Sequence, residues 1–183
     1  TWAVYDYPTS GLPWHIVYSV AFDGSGNKWI GTYSGGLARF DGDTTWTVYI
    51  PQNSGLPNAY VWSIVIDSSR YLWIGTGAGL AKFNGDSSWT VYNSANTGLS
   101  NDNVTSVAID GAGNKWIGTS HGGLAKFDGT TWTIYDSTNS VFTDNCILTI
   151  AIDESGNKWI GTHLGLVKFD DTNWTVYTPL NSG

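Results

Sequence analysis

The side chains best suited to chemistry in this sequence are His15, His121 and His163, Asp102 and Asp144, the single Cys146, and Ser120. Ser120 lies in Gly118-Thr119-Ser120-His121-Gly122, which fits the G-x-S-x-G pattern of serine hydrolases. That pattern requires a strand-to-helix elbow. The same register elsewhere in the chain reads Gly31-Thr32-Tyr33-Ser34-Gly35 and Gly75-Thr76-Gly77-Ala78-Gly79, so no nucleophile is expected. Asp23-Gly24-Ser25-Gly26-Asn27 is partly similar to a calcium loop. An EF-hand needs Gly at the sixth position and Glu at the twelfth, where this chain has Lys28 and Ser34. The three histidines carry no paired carboxylate motif, and neither a metal site nor a cofactor is expected. Asp102 and Asp144 are the one pairing open to acid/base hydrolysis, in a chain with a lone Glu154. No catalytic residue is assigned, and the chain is read as non-enzymatic.

What positions these residues is a repeat, which must be read before anything else. Trp-Ile-Gly-Thr begins at Trp29, Trp73, Trp116 and Trp159, in steps of 44, 43 and 43 residues. Asp23, Asp67, Asp110 and Asp153 precede these tryptophans, each closing a short apolar run. Downstream come Gly-Leu, then Phe40, Phe83, Phe127 and Phe169, then Trp-Thr-(Val/Ile)-Tyr from Trp46, Trp89, Trp132 and Trp174. Each period thus holds four short β-type segments, A to D, with Gly, Asp and Asn at hairpin joints where φ > 0 is tolerated. Segment A is apolar or small on both sides, as in residues 104–109, which suits a strand sandwiched between neighbouring sheets.

The fold predicted is all-β: a β-propeller of four-stranded antiparallel blades over a single repeat domain, 1–183. The blades span about 15–50, 58–93, 101–136 and 144–178. Trp2-Ala3-Val4-Tyr5 repeats the D motif, so 1–7 is expected to be the outer strand of a preceding or shared blade. Residues 181–183 echo Asn53-Ser54-Gly55, which leads into a blade. The four blades and surplus strand are therefore expected to be part of a longer array, or of a ring completed by a second protomer. Nine of the eleven tryptophans fall in repeat register and read as packing between blades.

A net charge of −7 and lysines and arginines spread at repeat intervals argue against nucleic acid as a partner. No run approaches the ~20 apolar residues of a membrane helix, so no membrane span is expected in this chain. The lone cysteine leaves the redox compartment open.

Propeller topology places the A–B and C–D joints on one face and the D–A and B–C joints on the other. Eleven of the fifteen acidic residues fall on the first face, at repeated offsets, and read as turn formers. On the second face the copies differ from one another. Ahead of strand A stand Trp14-His15, Asn58 and Tyr60, Asn101-Asp102, and Asp144-Asn145; the B–C joints carry Tyr33, His121 and His163. Positions that vary among repeats are free of the packing demand that fixes the rest, and loops on a rigid scaffold are where binding residues gather. Trp14, His15, Tyr33, Asn58, Tyr60, Asn101, Asp102, His121, Asp144, Asn145 and His163 are therefore the candidate ligand contacts. An aromatic, amide-rich rim suits an oligosaccharide or other small ligand.

The consensus Asn-Ser-Gly-Leu-Pro…Asp-x-x-Gly-Asn-x-Trp-Ile-Gly-Thr-x-x-Gly-Leu-x-x-Phe-Asp-Gly resembles the two-component regulator propeller repeat. Asn103 to Phe127 carries it best; the second copy departs at Ser68-Ser69-Arg70-Tyr71. The resemblance implies the extracytoplasmic sensor propellers of bacterial hybrid histidine kinases and related secreted proteins, with a sensing or recognition role often directed at glycans. A structural or surface-display array is the alternative. A propeller lyase similar in outline to streptogramin lyase, or a glycosidase, is the weaker one.

Overall fold

A computed structural model of the chain describes residues 2–181; Thr1, Ser182 and Gly183 lie outside the described residues. It contains four separate four-stranded antiparallel sheets, each made of consecutive strands. Blade 1 comprises β1 (Val17–Phe22), β2 (Lys28–Thr32), β3 (Leu37–Phe40) and β4 (Trp46–Tyr49), and blade 2 comprises β5 (Val61–Ile66), β6 (Leu72–Thr76), β7 (Gly79–Phe83) and β8 (Trp89–Tyr92). After a single-turn helix, α1 (Ser94–Thr97), blade 3 follows as β9 (Val104–Ile109), β10 (Lys115–Thr119), β11 (Leu124–Phe127) and β12 (Trp132–Tyr135). Blade 4 is β13 (Ile147–Ile152), β14 (Lys158–Thr162), β15 (Gly165–Phe169) and β16 (Trp174–Tyr177). These are propeller blades. They divide into two compact units, Thr1–Val91 and Tyr92–Gly183.

Within the first unit, β5 lies against β1 and β2. Gly31 makes this approach possible: a Cβ on it would lie 2.6 Å from Val61 Cγ1. Ser19 Oγ accepts from the Ile64 amide at 3.0 Å. Trp29 stacks on Tyr49 and meets the edge of Phe83, so blade 2 closes over an aromatic wedge. The second unit repeats the joint. Ile147 lies over Gly118, Ser106 Oγ accepts from the Ile150 amide at 3.0 Å, and Trp116 stacks on Tyr135 beside Phe169. The repeated tryptophans Trp29, Trp73 and Trp116 are thus buried packing residues.

The N-terminal segment differs from the four D strands. Residues 2–6 form no strand, Trp2 is fully exposed, and only Tyr5 is seated, on Phe40 and Trp46. Tyr49 takes the equivalent seat on Phe83 and Trp89, and Tyr135 on Phe169 and Trp174. Tyr5 therefore occupies the place of a D-strand tyrosine. A D strand gains its ladder from the C strand of its own blade, and among the described residues no strand pairs with residues 2–5.

Candidate functional site

In every A strand the pairing register slips by one residue near the start, at Val17/Ser19, Val61/Ser63 and Ile147/Thr149 and, across from β9, at Gly118/Thr119. The residue left unpaired is Tyr18, Trp62, Thr105 or Leu148. A bulge redirects the side chain it carries, and such bulges concentrate beside functional sites. The B–C joints are tied to this end of the sheets. Tyr33 N donates to Ile16 O at 3.1 Å, Gly77 N to Tyr60 O at 3.1 Å, and Ser120 N to Asn103 O at 3.0 Å.

In the first unit these ties bring together four rings. Tyr33 meets Tyr60 edge-on at 4.9 Å, Tyr60 stacks on Trp62 at 5.9 Å, and Tyr18 contacts Trp62 at 4.8 Å. The three tyrosines remain 37–48% exposed. Trp62 Nε1 is buried and has no hydrogen-bond partner among the described residues. Trp14 Nε1 is in the same state. Trp14 and His15 form a second group: their rings stack at 5.1 Å, with Tyr7 5.9 Å from Trp14.

The polar candidates are more fully engaged. Asn58 Oδ1 accepts from the Tyr60 amide, Asn101 Oδ1 from that of Asn103, and Asp144 Oδ1 from that of Cys146, so these three shape their own turns. Asp102 accepts from the Ser94 amide and hydroxyl, and Asn145 ties down Ser137. In the second unit Ser120 links Asn101 to His121, each at 3.1 Å. His163 Nε2 lies 3.8 Å from Cys146 Sγ. Burial, reinforced by the charge of Asp144, raises the Cys146 pKa. Among the described residues no group of three His, Cys, Asp or Glu is placed to hold a metal ion.

The repeated aspartates are turn anchors. Asp110 accepts from the amides of Ala112 and Asn114, the Asn114 side chain and Trp116 Nε1. Burial raises its pKa, but the hydrogen bonds from Trp116 and Asn114 outweigh this and hold it below the usual carboxylate value.

Tyr18 and Trp62 were not among the residues expected from sequence. Their signal was available: one position of segment A reads Tyr, Trp, Thr, Leu across the copies, and Trp62 is one of the two tryptophans outside the repeat registers.

Residues 55–78 match the two component regulator propeller family, on the copy whose A–B turn is atypical. No curated protein matches the chain. Among solved structures, the chain is similar to the extracellular domain of a B. thetaiotaomicron protein assigned as a hybrid two component system, BT3049. The identity is 26% and the TM-score 0.79, over 91% of this chain and 23% of that one. A second such extracellular domain from that organism, BT4673, matches at 29% identity and TM-score 0.71, over 90% and 22%. This chain therefore spans less than a quarter of the length of these two relatives. Virginiamycin B lyase from Staphylococcus aureus matches at 14% identity and TM-score 0.72, over 91% and 56%, a likeness of fold alone.

Proposed function

We propose that this run of two component regulator propeller repeats is a ligand-recognition segment of a bacterial extracytoplasmic sensor propeller and catalyses no reaction itself. The observation that carries the reading is the partly exposed aromatic surface of Tyr18, Tyr33, Tyr60 and Trp62. Sugar rings present apolar faces that stack on tyrosine and tryptophan, so an oligosaccharide is the proposed ligand class. Similarity to extracellular sensor domains supports the location. The carboxylates that acid/base chemistry would need are engaged in turns: Asp102 bonds Ser94 and Asp144 its own loop. Calorimetric titration of an oligosaccharide panel into the chain and into Tyr60→Ala and Trp62→Ala tests this. Saturable binding lost in both variants supports the site; equal affinity in all three proteins removes it.

A structural or display array is the second reading, favoured by uncovered apolar faces on blades 1 and 4. Val17 and Val20 of blade 1 are 42% and 50% exposed, whereas Val61 and Ile64 at the same registers are buried. On blade 4, Leu166 is 39% exposed where Leu37, Leu80 and Leu124 are fully buried.

A further inference from the structure

Both arginines of this chain, Arg39 and Arg70, line one cavity of 200 Å³ on the A–B/C–D side of the first unit, together with Asp23, Leu72, Asn84 and Gly85. We propose that this cavity is a binding site for an oxyanion, a carboxylate, sulfate or phosphate group, separate from the aromatic surface.

Three observations carry it. First, Arg70 stands at a left-handed backbone position, φ 68°, where the other three copies of the turn have Gly26, Gly113 and Gly156 at φ 82–85°. L side chains disfavour this conformation, and it persists where the surroundings enforce it, often at functional positions. The chain accepts it here and thereby sets a guanidinium at the cavity, close to Gly24.

Second, the acceptors around the cavity are already engaged while donors are left over. Asp23 receives N–H groups from Ser25, from Asn27 twice and from Trp29. Asn27 Oδ1 receives Arg39 Nη2 at 3.3 Å, which orients that guanidinium over Trp29. Asn84 Oδ1 receives three backbone amides of its own turn. The remaining guanidinium N–H groups form a planar fork that matches an oxyanion better than a spherical ion.

Third, the second unit serves as an internal control. At the equivalent joint the registers of Arg39, Arg70, Leu72, Asn84 and Gly85 hold Lys126, Gly156, Lys158, Asp170 and Asp171. There Lys158 is buried, pairs with Asp171 and lies 4.7 Å from the Trp116 ring centre. Two ammonium groups face three carboxylates in that copy. In the first unit two guanidinium groups face one carboxylate, and no ion pair among the described residues closes the space. The same scaffold position is an acidic, plugged joint in the second unit and a basic, open one in the first.

Thermal unfolding of the 183-residue chain, at fixed ionic strength with chloride replaced stepwise by sulfate, phosphate or acetate, tests the proposal. At least one of the three should raise Tm along a saturating curve, and the responding anion identifies the oxygen geometry preferred. Arg39→Gln and Arg70→Gly should each weaken the apparent affinity by about tenfold or more. Lys126→Gln, at the Arg39 register of the second unit, should leave it unchanged. Arg70→Gly also relieves the left-handed residue and raises the anion-free Tm, so the anion-dependent increment is the readout. No saturable increment with any of the three anions overturns the proposal. So does an increment retained at full strength in both arginine variants, which is the signature of a general salt effect.

Discussion

The indole N–H of Trp159 donates to a carboxylate oxygen of Asp153 at 2.8 Å, six residues back across the A–B turn. Asp23 and Trp29, Asp67 and Trp73, and Asp110 and Trp116 repeat the bond at 3.0, 2.8 and 2.9 Å. One carboxylate thus shapes the turn through backbone amides and fixes a tryptophan, which in Trp29 and Trp116 wedges against the following blade of the same unit. Its recurrence explains why Asp and Trp keep their spacing while neighbouring residues change.

Removing that carboxylate should be costly. Asp110→Ala strands the N–H of a fully buried Trp116 together with two turn amides. The expected loss is about 2–3 kcal/mol in urea unfolding. Asp86→Ala, in an exposed C–D turn, should change stability by less than about 0.5 kcal/mol.

Acid should unfold the chain through the same groups. Hydrogen bonds from Asn157 and Trp159 lower the Asp153 pKa to about 2, and turn bonds also lower those of Asp41, Asp128, Asp136 and Asp170. A carboxylate whose folded pKa is depressed contributes stability that is complete above the unfolded value of about 3.9 and is lost as pH falls through the folded value. Tm should therefore stay level above about pH 5 and fall steeply between pH 4 and 2. A Tm unchanged down to pH 2 would contradict this linkage.

The blade joints depend on absent side chains. A Cβ on Gly118 would lie 2.4 Å from Ile147 Cγ2. Gly118→Ala should cost about 1–3 kcal/mol from overpacking. Combined with Ile147→Ala, the loss should be smaller than the sum of the two single losses, because the clashing methyl is gone. Strict additivity in the denaturation cycle would mean that the two residues are not in contact.

The exposed Val17 and Val20 of blade 1 repeat the residues that seal the internal joints, and Leu166 with Trp159 and Tyr177 lines an open cavity on blade 4. Sedimentation equilibrium should show a concentration-dependent mass above 19.8 kDa, reduced by Val20→Asp. A constant 19.8 kDa at every concentration would show that these faces do not bind one another.

The fold was legible because packing between blades repeats itself: Trp, Gly and Phe recur wherever a strand must bury the same wedge. The candidate site was only half legible. Tyr33 and Tyr60 stood out in loops that differ between copies. Tyr18 and Trp62 sit inside a strand, and alternation gives no sign that a bulge turns them toward those loops. Residues such as Asp102 and Asn145 varied between copies for a local reason, each tying down its own D–A loop. The N-terminal D motif kept its tyrosine seat without its strand, since side-chain register can survive where a backbone ladder has no partner.

The recognition reading stands on the ring surface that Trp62 shares with Tyr18 and Tyr60, and the Trp62 indole N–H reports on it. In a ¹⁵N-resolved titration with the oligosaccharide panel, its indole resonance should shift along a saturating curve. The indole signals of Trp29, Trp73, Trp116 and Trp159, already bonded to aspartates, should stay in place. A panel that binds the chain yet leaves the Trp62 indole unmoved would contradict the account.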